Sequence, residues 1–382
     1  LEAKVYSSSK ASLLLSFEDI KNQIQKDFSK FDFLLFSIHP YFPIDDVNYL
    51  INKIFKTNNY AAFHTINAFK NDDIIEKAVG LVVFKFNKNA KIKKFYIEDI
   101  TNYKNDDTLD KTADYLNKNR KDFHIILAGL AEELFGFFIE DLSQKIDYSP
   151  VNNIIGGVSS GIKTDNKMIT YQFIDNKVIK KGFLILSFEN VEAQIDVSLG
   201  FTPYGITYKI TRAEGTKLFS VDEDKNFAKI AKNFLKGIKK PDIKYLWYLP
   251  INILDEKDGY VATLRTIEEV HEDYVKFFAP IKTGQHFKIS FATADEILKD
   301  DMKCALRLSK KMKRADIAFN FSCVARQYVL EDRQKEEIEI YEDILNTYLF
   351  GFFTFGEVGP DRMFKKLKMY NETSLVLVMR EL

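Results

Sequence analysis

The sequence predicts a mixed α/β fold: two lobes of mixed β-sheets flanked by helices. Three observations carry this. Apolar runs of strand length alternate with segments of helical periodicity. One succession, strand–helix–strand–polar turn–strand, occurs three times. The 382 residues, 46% hydrophobic and 29% charged, suffice for one large core or two moderate ones.

The first unit starts at "FDFLLFSIHP", an apolar run closed by a proline and so strand-like. "IDDVNYLINKIF" places Ile44, Val47, Leu50, Ile51 and Ile54 at helical spacing. "NYAAFHT" reads as a strand ending at Thr65, and "VGLVVFKFNKNAKIKKFYIED" as a hairpin turning at Asn87–Asn89. The second unit repeats the order. "FHIILAG" is a strand, and "LAEELFGFFIEDLSQKI" a helix with Leu130, Leu134, Phe138 and Leu142 on one face. "NNIIGGVSSG" is a strand running into a glycine-serine turn, and "MITYQFIDNKVIKKGFLILSF" a hairpin with Asp175-Asn176 at its tip. In the third unit "IAFNFSC" is a strand and "EIEIYEDILNTYL" a helix turning Ile338, Tyr341, Ile344, Leu345 and Tyr348 inward. "FGFFTFGEVG" is a strand ending in a tight turn, and "TSLVLVMREL" closes the chain. From strand start to the Ser or Thr of the turn the three units measure 34 residues (Phe31 to Thr65), 36 (Phe123 to Ser159) and 37 (Ile317 to Thr354).

Between the second and third units "FTPYGITYKITRAEGTKLFSV" reads as strands joined at Gly215, and "FAKIAKNFLKGI" as a helix stopped by Gly237 and Pro241. "IKYLWYLPINIL" reads as a buried strand with the sole tryptophan, Trp247. "HFKISFATADEILKDDMKCALRLSKKM" is a strand and then a helix capped by Thr293 or Asp295. The lobes are expected to divide near residue 200, into 1–200 and 201–382.

Lys+Arg equals Asp+Glu at 55 each, so the basic footprint of a nucleic-acid binder is missing. No apolar run reaches the ~18 residues of a membrane-spanning helix, and no membrane insertion is expected. Cys304 and Cys323 are the two cysteines, a usage that fits a reducing, cytoplasmic compartment. The chain begins Leu1-Glu2 rather than with methionine and reads as an excised segment beside a further domain.

The turn "TFGEVG" concentrates the functional expectation. Gly356 and Gly359 allow a sharp end to the strand, Thr354 precedes them, and Glu357 sits at the tip, facing a ligand or the solvent. "GGVSSG" lacks the lysine of a phosphate-binding loop. In "FSCVARQYVL", Ser322, Cys323 and Arg326 follow a strand; Arg326 either clamps a carboxylate in a ligand or pairs with Glu336 or Glu357. Cys323 has no histidine near it in sequence, and no residue pair reads as a base beside a nucleophile. His39, His64, His124, His271 and His286 make no metal-ligand spacing, so no bound metal is expected.

The stretches "AFNFSCVARQYVL", "GFFTFGEVGP" and "YNETSLVLV" resemble the C-terminal half of FIST-domain proteins, a family named for F-box and intracellular signal-transduction proteins. "YGITYKITRAEGTKLFSV" resembles the start of that half, and "IIGGVSSG" and "YAAFHTINAF" resemble the N-terminal half. The resemblance implies an intracellular, non-catalytic sensory domain that binds a small molecule, amino acids prominent among the candidates. It also implies a signalling output partner such as a diguanylate cyclase, histidine kinase or chemoreceptor. Some members are haem-binding nitric-oxide sensors; no cofactor is expected here, and His64, beside the first turn, is the candidate axial ligand if haem is bound. The family's first turn is commonly a glycine-containing stretch with a Gly-Glu pair; here Thr65 is kept and that pair is not, which directs the ligand to the third turn. Arg326 would hold a ligand carboxylate and Glu357 an amino group. Thr354, Gly356, Asn371, Ser322 and Cys323 would line the site, with Thr211 and Arg212 completing its wall.

Overall fold

The computed structural model describes residues 1–71, 73–130, 134–147, 151–164, 167–238, 242–255, 259–361, 363 and 366–382. Pro241, expected to stop a helix, and residues 131–133, expected to begin one, lie outside them.

The first unit runs β1 (Glu2–Ser8), α1 (Leu13–Asp27), β2 (Phe33–Ile38), α2 (Val47–Phe55), β3 (Tyr60–His64), β4 (Asn67–Lys70), β5 (Asp73–Glu76) and β6 (Val79–Lys85). Next come β7 (Lys91–Ile97), α3 (Thr108–Lys118), β8 (Phe123–Ala128), α4 (Leu134–Lys145), β9 (Ile154–Ser159), β10 (Ile162–Thr164) and β11 (Lys167–Ile169). They are followed by β12 (Gln172–Ile174), β13 (Lys177–Ile179), β14 (Phe183–Glu189) and β15 (Val191–Ser198). The intervening region holds β16 (Thr202–Glu214), β17 (Lys217–Val221), β18 (Lys225–Asn226), α5 (Phe227–Phe234), β19 (Ile251–Leu254), β20 (Val261–Arg265), β21 (Ile267–Val270), β22 (Val275–Phe277) and β23 (His286–Phe291). The last unit comprises α6 (Ala294–Lys311), β24 (Ile317–Cys323), α7 (Val324–Leu330), α8 (Gln334–Leu345), β25 (Leu349–Pro360), β26 (Leu367–Tyr370) and β27 (Ser374–Glu381).

The mixed α/β architecture is layered. A six-stranded sheet, β1-β6-β2-β3-β12-β13, lies against a central sheet with the order β15-β27-β24-β25-β9-β8-β14-β7. Strand alternation decides what each face meets. Leu34, Phe36 and Ile38 pack outward against α1 and α2, whereas Phe33 and Leu35 face the central sheet, meeting Phe123, Ile125, Phe319, Phe350 and Phe352. The far face of the central sheet is covered by α3 and α4 at one end and by α6 and α8 at the other. The result is helix, sheet, sheet, helix, with most of the phenylalanines between layers. β20-β19-β23-β16-β17-β22-β21 form a separate sheet over α5.

Each unit contributes one parallel strand pair across its helix: β2 with β3, β8 with β9 and β24 with β25. The central sheet takes strands from both halves of the chain, because β25 pairs antiparallel with β9. Thr293 caps α6 in a full capping box with Glu296, which settles the choice between Thr293 and Asp295.

Four local expectations are corrected. β6 and β7 are not a hairpin: β6 pairs with β1 and β2, and β7 with β14 in the other sheet. The intervening turn is held by the Glu381 carboxylate, which accepts from the backbone N–H of Asn87 at 2.9 Å and Lys88 at 2.8 Å. "IKYLWYLPINIL" is not one strand. Residues Ile243–Tyr248 form a 3₁₀ turn opened by the Asp242 side chain, and Trp247 is half-buried. Tyr348 is exposed, since α8 ends at Asn346 in a left-handed conformation. Most consequential, "TFGEVG" does not end its strand. β25 runs through it to Pro360, and the extra residues form a bulge between Thr354 and Glu357, with Gly356 at φ 148°.

Candidate functional site

The Ser and Thr residues of the three units converge. Thr65 Oγ1 accepts from Phe353 N at 3.2 Å, and Ser160 Oγ accepts from Ile66 N at 2.9 Å and donates to Phe353 O at 2.5 Å. Ser159 lies opposite Thr354 in the pairing of β9 with β25. The glycines of "GGVSSG" lie inside β9 rather than in a turn. A Cβ on Gly156 would come within 1.8 Å of the Ile126 carbonyl oxygen, and one on Gly157 within 2.6 Å of Thr354 Cγ2. They permit close packing of β9 against β8 and β25.

Two buried polar clusters sit at the carboxyl ends of β24 and β25. The first is an ion-pair network. Arg326, on α7, is fully buried, and its Nη2 bonds to Asp301 of α6. Its Nε lies 3.4 Å from Glu337 Oε1. Tyr341 donates to Asp301 at 2.9 Å, and Ser322 Oγ lies 3.1 Å from each Glu337 oxygen. Arg326 therefore pairs with neither Glu336 nor Glu357. Glu336 faces outward to Arg333 at 2.7 Å, while Glu337, four residues before Tyr341, takes the inward stripe of α8. Burial pushes Asp301 up to about 7 against the pull of Arg326. Burial disfavours the Arg326 charge, and Asp301 and Glu337 outweigh it, so that group stays cationic.

The second cluster has no ion pair among the described residues. Glu357 is fully buried; Thr354 Oγ1 donates to it at 2.6 Å and Thr373 Oγ1 at 2.8 Å. Burial drives Glu357 up to about 8, only partly opposed by these hydroxyls. Glu372, at φ 57°, is fully buried too. Thr266 donates to its Oε1 at 2.9 Å, and its Oε2 has no hydrogen-bond partner among the described residues. Burial first, and then the Glu357 charge, pushes Glu372 well above the usual carboxylate range. The Asn371 amide lies over Gly356, with Nδ2 3.5 Å from where a Cβ would stand, and its Oδ1 is likewise unpartnered. Arg326 Nη1 is also without an acceptor.

The structure thus brings together Ser322, Cys323, Arg326, Thr354, Gly356, Glu357 and Asn371. It does not bring in Thr211 or Arg212. Thr211 bonds to Ser220 at 2.8 Å, and Arg212 is exposed on β16, paired with Glu214 at 2.9 Å over the Phe219 ring. Cys323 is buried, and burial pushes its thiol well above its ordinary range.

Two family domains match the chain. The FIST N domain matches residues 32–224 and the FIST C domain residues 222–360. The chain belongs to the FIST family. FIST domains are sensory domains of signal-transduction proteins. This FIST protein is also 32% identical over 264 residues to an uncharacterized protein of Aquifex aeolicus (strain VF5), covering 68% of this chain and 97% of the relative. Among the described residues no helix is long and apolar enough to cross a membrane.

Haem does not fit His64 as it is placed. The imidazole is 1% exposed and enclosed by Tyr171 and Phe173, with ring centroids at 5.3 and 5.5 Å. Burial lowers it to about 3. A neutral imidazole could ligate iron, and both ring nitrogens are without a hydrogen-bond partner, but at 1% exposure neither opens onto space in which a porphyrin could lie.

Sequence reasoning missed Glu372, Asp301 and Glu337. Glu372 lies within the family-like "YNETS", one residue past Asn371, and Glu337 is findable from its spacing to Tyr341. Asp301 carries no local signal, since its partner Arg326 is 25 residues away.

Proposed function

We propose that this FIST protein is a cytoplasmic, non-catalytic sensory module that binds a small molecule bearing an amino group, such as an amino acid, and passes its occupancy to an output domain or kinase or cyclase partner. One observation carries the reading: Asn371 Oδ1 and Glu372 Oε2 are buried without a hydrogen-bond partner, next in sequence to Tyr370, which pairs with Glu357, and Glu357 has no counter-cation among the described residues. Unsatisfied buried polar groups cost about 1–3 kcal/mol each, so an amino group that satisfies them stabilises the folded state. Arg326 Nη1 offers a donor for a ligand carboxylate. A thermal-shift screen against amino acids tests this. A concentration-dependent rise in Tm that Glu357→Gln reduces supports it, and a flat response across the screen refutes it.

The internal pairing of Arg326 favours a second reading, in which the clusters only hold the helices onto the sheet and FIST function runs through a protein partner. The same screen separates the two readings.

A further inference from the structure

A cavity of about 450 Å³ lies outside the two buried clusters, where the edge strand β15 meets α6. That volume falls within the ~300–1,000 Å³ of small-molecule sites. Its floor is apolar: Ile195, Val197, Pro360 and Leu375, all buried. Its rim is one stripe of α6, where Asp300, Lys303, Arg307 and Lys311 recur at helical spacing. Lys303, Arg307 and Lys311 are exposed, so the cavity opens to solvent along the helix. The acids of the wall are already served. Arg307 forks onto Asp196, with Nε and Nη2 each at 2.8 Å, and Lys311 stands 3.7 Å from the same carboxylate. Asp300 accepts from the backbone N–H of Leu199 at 2.9 Å and of Gly200 at 3.1 Å, and Asp361 from the Tyr260 hydroxyl at 3.2 Å. Lys303 has no hydrogen bond or ion pair among the described residues. The chain is neutral overall, yet from Met302 to Arg314 it carries six cations and no acid, so the field at this rim draws anions.

Two features choose the occupant. A peptide strand adding to β15 finds no free partner at Val197, whose N–H donates to Asp196 Oδ1 at 2.8 Å and whose carbonyl accepts from Arg307 at 3.3 Å. With the Arg307 fork occupied, the Lys303 ammonium remains, a point charge that matches one carboxylate rather than a doubly charged phosphate. We propose that this cavity binds a small monocarboxylate with an apolar body, aliphatic or aromatic: the body lies on Ile195, Val197, Pro360 and Leu375, and the carboxylate meets Lys303. The site goes beyond the sensor reading and does not depend on it. It shares one helix with the ion-pair network, since Asp300 adjoins Asp301, the partner of Arg326.

Calorimetry on the full chain with 3-phenylpropionate, octanoate, 3-phenylpropan-1-ol, acetate and inorganic phosphate tests this. The expected result is binding of 3-phenylpropionate or octanoate at least ~10-fold tighter than acetate or phosphate, from the apolar body, and of 3-phenylpropionate ~5-fold tighter than its alcohol, from the charge. Lys303→Ala brings the acid down to the affinity of the alcohol, and Lys303→Arg keeps it. Lys310→Ala and Lys313→Ala, which remove charge outside the cavity, leave binding unchanged. Val197→Phe fills the floor and abolishes binding; should it fail to fold by circular dichroism, Lys303→Ala at the exposed rim decides the matter. Equal binding of acid and alcohol, or acid binding indifferent to Lys303→Ala, overturns the carboxylate assignment. Phosphate binding as tight as the acids marks a general anion patch and overturns it too. Silence of both acids overturns the site. Loss of acid binding in Glu357→Gln would move the ligand to the buried cluster and overturn this site, whereas a flat amino-acid screen with acid binding intact overturns the sensor reading alone.

Discussion

Removing the Arg326 guanidinium is the sharpest perturbation available. Arg326→Ala takes the cation from between Asp301 and Glu337, both buried, and leaves Arg326's bonding partners facing a cavity. Breaking a buried ion pair from one side costs roughly 3–5 kcal/mol, because the remaining charge is uncompensated. Unfolding entropy of ~2.1 cal/mol/K per residue over 382 residues makes each kcal/mol about 1.2 °C of Tm, so the expected fall is about 4–6 °C if the chain unfolds as one unit. The sign with pH follows from Asp301. Burial raises it to about 7 even with Arg326 present, and Arg326 is the group that pulls it down. Without that pull Asp301 takes up a proton more readily, so the deficit is smallest near pH 5 and grows as pH rises through 7 and beyond. Scanning calorimetry of the wild type and variant at pH 5 and pH 8 measures this. A fall of less than about 1 °C at pH 8, or a deficit larger at pH 5 than at pH 8, would refute the claim that Arg326 neutralises this cluster.

Three further outcomes follow from other places in the fold. Glu357 has its folded value raised from the ordinary 4.5 to about 8, so the folded state holds the extra proton; its contribution is full below 4.5, is lost as pH rises from 4.5 to about 8, and is flat above that. Glu357→Gln should remove that slope, on the order of 5 kcal/mol across the window, as read by denaturant titration in steps of pH; an unchanged slope contradicts the assignment. Glu381 behaves oppositely. Burial acts to raise it, but hydrogen bonds from the Leu1 amino group and the N–H groups of Asn87, Lys88 and Ala90 bring it down to about 2, so its stabilisation is present above 4.5 and lost as pH falls toward 2. Glu381→Ala should cost about 1–3 kcal/mol at neutral pH, and amide exchange at Asn87 and Lys88 should accelerate; protection as in the wild type would show that another group holds the turn. Gly156→Ala should prevent folding or lower Tm sharply, because the backbone oxygen of Ile126 at 1.8 Å cannot swing away; a variant with wild-type Tm would mean that β8 and β9 do not approach as described.

Legibility in the sequence divided along physical lines. The three repeated units were readable because strand and helix periodicities are local, and each became a parallel pair across a helix. What local pattern could not carry was the sheet to which a strand belongs. β6 and β7 alternate like a hairpin, yet their partners are β2 and β14, and the carboxylate holding their turn is 294 residues away from Asn87. The bulge in β25 was misread for a related reason. Two glycines around a glutamate look like a turn to any local rule, but β26 on one side and β9 on the other keep the strand paired through Glu357. That pairing is also why Glu357 is buried rather than presented at a tip. Arg326 was readable as a candidate for a ligand or for an internal ion pair, but its partners were not, since Asp301 lies 25 residues away on α6 and Glu337 is one residue past the Glu336 that the sequence suggested.

The convergence of Thr65, Ser159 with its neighbour Ser160, and Thr354 explains why only the third unit keeps a carboxyl group there. In the first unit the hydroxyl of Thr65 is spent on Asn67 O and the Phe353 backbone, which fastens the β3–β4 connection to β25 beside the pairing of β4 with β25 in the central sheet. In the second, Ser159 Oγ accepts from Gln172 Nε2 at 2.7 Å, and its neighbour Ser160 is committed to Phe353 O and Ile66 N. These two units supply the hydrogen bonds that fix the entry of β25 into its bulge, so their turns have become structure. Thr354 alone points its hydroxyl onward, to Glu357 and the Ser322 carbonyl oxygen. A carboxylate in either of the first two positions would meet backbone carbonyl oxygens, acceptors it can bond only when protonated. At the third position it meets hydroxyl donors from Thr354 and Thr373. The donor geometry, set by which neighbour each hydroxyl already serves, therefore selects one of three similar strand ends to hold acid groups, with no cation paired to them among the described residues.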